Sequence, residues 1–142
     1  AFSRPLYRDA MTTSPDLLPL GDEQFLLLTT TRRSGVEVPT PVWVARDGDA
    51  LVVTTGADSG KVKRIRHTPQ VTLQACDRAG RPHEGAPVVT AQATVVDDDA
   101  ARERLDEVFL EKYGAQYRAI RALGRVRGRS RSASVVVRIM ES

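Results

Sequence analysis

Between Gln24 and Val96 the chain alternates short apolar runs with turn residues at the spacing of β-strands. Gln24 to Thr31 is apolar and β-branched, and Arg32-Arg33-Ser34-Gly35 follows as a turn. Val36 to Ala45 reads as a second strand, and Pro39 and Pro41 place it at a sheet edge or a bulge. Arg46-Asp47-Gly48-Asp49 carries the Asp-Gly hairpin signal, and Ala50 to Thr55 is the third strand. Ser59 to His67 has helical spacing in Val62, Ile65 and Arg66 and stops before Pro69. Val71 to Asp77 and Val88 to Val96 are further strands; in the latter, Val89, Ala91, Ala93 and Val95 alternate with polar residues.

The pattern then turns helical. Asp97 to Asp99 open a helix, where carboxylates cap free N–H groups and oppose the dipole. Leu105, Val108, Phe109 and Lys112 share one face at a spacing that core packing explains. Gly114 breaks this helix, and Tyr117, Ile120 and Leu123 predict a second short one. Arg125 to Arg131 reads as a basic loop and Ser134 to Ile139 as the closing strand. The fold class is mainly β with inserted helices: six or more antiparallel strands at a spacing that suits a small barrel. Residues 1–20 read as a flexible N-terminal arm, with a short helical lead-in over Asp16 to Asp22 interrupted at Pro19. Residues 21–142 form one domain.

Composition narrows the function. The 142 residues, 41% hydrophobic and 27% charged, are ordinary for one globular domain. No apolar run spans a bilayer, no leader pattern is evident, and the single cysteine fits a reducing compartment, so the expected location is cytoplasmic, with no membrane partner. A net charge of +3 favours anionic partners without choosing among them. Two histidines and one cysteine, without CxxC or HExxH spacing, argue against a metal site. Cys76 reads as a core thiol, His83 as an exposed histidine, and no GxSxG elbow is present. No side chain stands out as a catalytic acid or nucleophile, so an enzyme of this sequence borrows its reactive group from a cofactor.

One cluster does stand out. Of three lysines in the chain, Lys61 and Lys63 fall in Ser59-Gly60-Lys61-Val62-Lys63, while eighteen arginines supply the remaining positive charge. A serine and a glycine ahead of a lysine at a helix start suit a phosphate, because free N–H groups and the dipole face the anion. An amphipathic helix with a solvated charged face fits the run equally well. Trp43 in Thr40-Pro41-Val42-Trp43-Val44 fits either a core aromatic or a wall of a ring pocket, and Thr54-Thr55-Gly56 fits either β-propensity or a hydroxyl lining.

In this order the pieces resemble the pyridoxamine 5′-phosphate oxidase-like split β-barrel family. These pieces are Leu26-Leu27-Leu28-Thr29-Thr30-Thr31, Gly35, Thr40 to Val44, Gly48, Thr54-Thr55, Ser59 to Ile65, Val71-Thr72-Leu73, Lys112-Tyr113-Gly114 and Val136 to Ile139. More narrowly, they resemble its flavin and deazaflavin oxidoreductases that use coenzyme F420. The resemblance implies a split β-barrel and an F420H2-dependent reductase acting on a small electron-poor organic substrate, with FMN as the alternative cofactor. It also implies a homodimer with the cofactor at the subunit interface. It implies Ser59, Gly60, Lys61 and Lys63 on phosphate, and Pro41, Val42, Trp43, Thr40 and Thr54 near the ring or its polyol chain. Lys61 is the stronger phosphate candidate, and Lys63 faces solvent or the neighbouring subunit. A non-catalytic cofactor carrier is a further reading. The Arg125 to Arg131 tract fits a solvated loop first, then a grip on an acidic cofactor tail; without interleaved aromatics it supports nucleic-acid binding least.

Overall fold

The computed structural model describes residues 17–126 and 134–141. Seven strands, β1 (Phe25–Thr31), β2 (Glu37–Trp43), β3 (Ala45–Asp47), β4 (Ala50–Gly56), β5 (Gln70–Cys76), β6 (Val89–Val96) and β7 (Ser134–Glu141), form one sheet. Three helices interrupt them: α1 (Gly60–His67), α2 (Asp99–Tyr113) and α3 (Ala115–Val126). A 3-10 turn over Leu18–Asp22 leads in, with Pro19 in its first turn, where a missing N–H does no harm, so the proline starts this turn and does not interrupt it. Leu17 and Leu20 are buried in the core, so the packed unit begins ahead of the expected boundary at residue 21. Residues 1–16 of the expected arm lie outside the described residues.

The strand order is β2-β1-β5-β6-β7-β4-β3, and every pairing is antiparallel. The two edges of this sheet, β2 and β3, are consecutive in sequence and separated by Val44 alone. Laid flat, seven strands would hold their edges about 29 Å apart. A single linking residue reaches about 7 Å. The sheet therefore has to roll into a barrel, with Val44 at its seam. This also explains why the expected single strand Val36 to Ala45 is two: β2 pairs with β1 while β3 pairs with β4.

The end of α2 pins the seam. Lys112 Nζ donates to the carbonyls of Val44 (2.7 Å), Gly21 (2.6 Å) and Glu23, which occupies all three ammonium protons. Tyr113 Oη donates to Val44 O at 2.6 Å, with Gln24 O at 3.1 Å, and accepts from Val44 N at 3.3 Å. Burial depresses the Lys112 pKa, against the opposing pull of Asp22 and Glu23, and pushes the Tyr113 hydroxyl up to about 12. Lys112 lies on the core-facing side of α2, as its spacing implied, but it acts there as a polar clip.

Two cores result. Inside the barrel, Leu26, Leu28, Val42, Leu51, Val53, Leu73, Ala91, Ala93, Val137 and Ile139 pack with Val44. Outside it, α2 and α3 cover β3, β4 and β7 through Leu105, Val108, Phe109 and Tyr117 against Ala45, Val52 and Val136. Burial on both faces accounts for the unbroken run Ala50 to Val53. Asp98 caps α2 by accepting from Ala101 N at 2.7 Å, while Asp97 and Asp99 hold Arg102. Gly114, at φ 58°, ends it. Among the α3 side chains described, only Tyr117 is buried; Ile120 and Leu123 are each 49% exposed, unlike an ordinary core-facing stripe. Arg125 and Val126, expected in a basic loop, belong to α3, and residues 127–131 of that tract lie outside the described residues.

Substituting Lys112→Met leaves three carbonyls without their shared donor. Urea unfolding is expected to show a loss of at least about 1.5–3 kcal/mol, the value of a single hydrogen bond to a charged group. An unchanged midpoint would mean that the seam holds without the clip.

Candidate functional site

The closed side of the barrel ends where β3 ends. β3 pairs only with Ala50 to Val52 of β4. Past the seam at Val44, β2 pairs with β1 and the Val53 to Gly56 stretch of β4 pairs only with β7, so the facing edges of β2 and β4 are left unpaired and can border a cleft. β4 carries Thr54 and Thr55 along this cleft and ends at Gly56. The chain turns at once, with Ser59 N donating to Gly56 O at 3.0 Å, and α1 begins.

Ser59 caps α1 by accepting from Val62 N at 3.4 Å, and its hydroxyl meets Thr55 Oγ1 at 3.3 Å. The cap leaves the Gly60 and Lys61 amides, which have no partner within a helix at these positions, for a ligand. Val62 and Ile65 bury the opposite face of α1 against the barrel. Lys61 is half-buried and makes no ion pair or hydrogen bond with any described residue. Burial, then the neighbouring Arg64, lowers its pKa. A partly desolvated cation with no counter-charge, beside free N–H groups, is an anion-binding arrangement.

Arg64, which sequence reasoning passed over, completes the arrangement. Four residues after Gly60, its side chain folds back toward the helix start. Its Nε donates to Thr30 Oγ1 at 2.6 Å, and Thr30 is the one fully buried polar residue among those described. A Cβ on Gly60 would lie 2.6 Å from Arg64 Nη1, so the glycine makes room for the guanidinium. The available signal was the i, i+4 pairing of Gly60 and Arg64; the partner Thr30 is distant in sequence and had none.

The other expected site residues divide between two faces. Thr40 and Val42 share the inward face of β2 with their ladder partners Leu28 and Leu26. Pro41 and Trp43 point to the outer face, where Pro41 packs beside Gly80. Trp43 stacks on Tyr113 (4.6 Å, 26°) and meets Phe25 edge-on (6.3 Å, 71°). Its ring thus packs with the α2 core and does not point into the barrel. Thr54 lies on β4 next to Thr55, which meets Ser59, and Gly60 and Lys61 follow at the start of α1. Lys63 is exposed and has no partner among the described residues. Among the described residues no cluster of metal-ligating side chains occurs, Cys76 is buried with its thiol pKa raised by burial, and His83 is exposed. Among the described residues no helix is long and apolar enough to cross a membrane.

A sheet closed by one residue, with unpaired strand edges beyond the seam and a capped basic helix after β4, is a split β-barrel. The sequence profile described as pyridoxamine 5′-phosphate oxidase matches residues 18–141, and the chain belongs to that family. No curated protein matches it. Solved structures do. A conserved hypothetical protein from Mycobacterium tuberculosis superposes with a TM-score of 0.62 at 20% identity, over 91% of this chain and 84% of that one. An F420 reductase gives 0.56 at 16% identity, over 89% and 93%. A FAD-binding protein from Mesorhizobium loti gives 0.56 at 16% identity, over 87% and 82%. At these identities the likeness is one of fold.

Thr30→Val keeps the shape of the buried side chain and removes the acceptor for Arg64. Chemical denaturation is expected to show a loss of about 1.5 kcal/mol. No loss would mean that Arg64 is not held by Thr30 in solution.

Proposed function

We propose that the protein is a cytoplasmic coenzyme F420-dependent reductase that passes a hydride from the reduced deazaflavin to an electron-poor double bond of a small organic substrate. The observation that carries this reading is the half-buried, unpartnered Lys61 at the start of α1, directly beside the cleft between β2 and β4. Family membership and the F420 reductase among the structural neighbours support it.

When bound, the deazaflavin supplies the hydride chemistry; the chain supplies grip, orientation and a dry surface. Lys61, the Gly60 and Lys61 amides and the dipole of α1 hold the phosphate. Ser59, tied to Thr55, fixes the turn that presents them. Thr54 lies on one side of the cleft, and the Thr40 to Trp43 stretch of β2 on the other. The donor set fits a phosphate: one ammonium and two helix-start amides belong to adjacent residues, and no carboxylate lies within α1. FMN carries the same phosphate chemistry, and the FAD-binding neighbour keeps it as the alternative cofactor. The active form is a homodimer with the cofactor at the subunit interface. Its support is the exposed apolar surface at Val36 (53%), Val88 (60%), Ile120 and Leu123. Lys63 faces solvent or the second subunit.

Titration with both cofactors tests the reading. Tight FMN binding with no measurable affinity for coenzyme F420 would overturn the choice of cofactor. Binding of F420 without oxidation of F420H2 across a panel of enones and quinones would make the protein a carrier. Lys61→Ala is expected to weaken cofactor binding by about 1.5–3 kcal/mol and to leave the thermal midpoint nearly unchanged. Equal affinity would remove Lys61 from the site. Sedimentation equilibrium is expected to give twice the 15.6 kDa chain mass; a monomer that binds cofactor fully would contradict the interface.

A further inference from the structure

The cleft wall formed by β2 has an unusual chemical polarity, set by two prolines. In an antiparallel ladder, residue pairs alternate between those that exchange both backbone hydrogen bonds and those that exchange none. Arg32 N donates to Val36 O at 2.8 Å at the turn joining β1 to β2, which makes that pair a bonded one. The register continues it through Thr30 with Val38, Leu28 with Thr40 and Leu26 with Val42. Even-numbered β2 residues therefore bond to β1, and the odd-numbered ones direct their backbone groups away from it. Pro39 and Pro41, opposite Thr29 and Leu27, fall in the second set, as residues without an N–H must.

No strand pairs with this second edge of β2 among the described residues. An ordinary edge strand offers alternating N–H donors and C=O acceptors. At Pro39 and Pro41 this edge offers carbonyls alone. Two results follow. A further strand has no donors to pair with there, so β2 is closed to sheet extension. A ligand in the cleft finds acceptors, and only a group carrying N–H or O–H satisfies them.

We infer that Pro39 and Pro41 make the middle of the β2 edge, between the N–H groups of Glu37 and Trp43, an acceptor-only rail that selects a planar heterocycle presenting a ring N–H. This rests on the cofactor reading above and sharpens it. The site recognises the ring by a donor it must carry, through the main-chain carbonyls of the two prolines. The lysine grip at α1 recognises phosphate at the other end of the ligand, so the two ends are read by opposite chemistry.

Carbonyl-13C-proline labelling of the whole chain, with the two resonances assigned through Pro39→Ala and Pro41→Ala, reads the rail directly. Addition of FMN, or of coenzyme F420, is expected to move at least one of them. In parallel, FMN methylated at its ring N3–H is expected to bind about tenfold more weakly than FMN, the loss of about one buried hydrogen bond. If FMN or F420 binds and both resonances stay in place, or the methylated ligand binds equally well, the inference fails while the cofactor reading stands. If neither cofactor binds, both fail.

Discussion

Val44 is the constraint on which the rest of this structure depends. It joins the two edges of a seven-stranded sheet, and no flat arrangement allows one residue to do that. Closure at this point is held by groups from the far end of α2. Lys112 gathers three carbonyls onto one ammonium, and Tyr113 engages both the N–H and the C=O of Val44. The first two residues ahead of Gly114 thus tie the lead-in turn, the start of β1 and the β2–β3 joint into one knot. Removing water from an ammonium is costly, and only full hydrogen bonding makes its partial burial tolerable.

The site follows from the same constraint. Because the chain before Val44 pairs with β1 and the chain after it with β4, the second edge of β2 and the end of β4 beyond Val52 are left unpaired. One wall then ends in Gly56 and the capped start of α1, where Lys61 lacks a counter-charge. The other carries Pro39 and Pro41. The barrel interior and the helical layer outside it are filled with aliphatic and aromatic side chains. Trp43 stands at the junction of these parts: next to Val44, stacked on Tyr113, and on the strand that forms the cleft. It couples the closing clip to the cleft wall by direct contact.

Much of this was legible in the sequence because it is local. Strand alternation in Val89 to Val95, the Asp98 cap, the Gly48 hairpin and the Ser59 helix start all depend on neighbours within a few residues. What escaped depends on pairing between distant segments. The break at Val44 follows from β2 and β3 having different partners, which no local pattern encodes. Lys112 showed its face but not its partners, which lie 68 to 91 residues away. Arg64 received no role from the sequence, since Thr30 reaches it from another strand. The exposure of Ile120 and Leu123 reflects a helix that rests on its neighbour through Tyr117, whereas their spacing alone predicted the helix and not what it packs against.

The proposed function places a phosphate-bearing flavin or deazaflavin in one cleft between β2 and β4, beside the seam at Val44. A crystal structure of the protein with coenzyme F420 or FMN bound tests this most directly. The phosphate is expected within hydrogen-bond distance of Lys61 and the Gly60 amide, with the ring against the Pro39 to Trp43 edge of β2. A ring bound on another part of the barrel, or a phosphate held away from the start of α1, would contradict it.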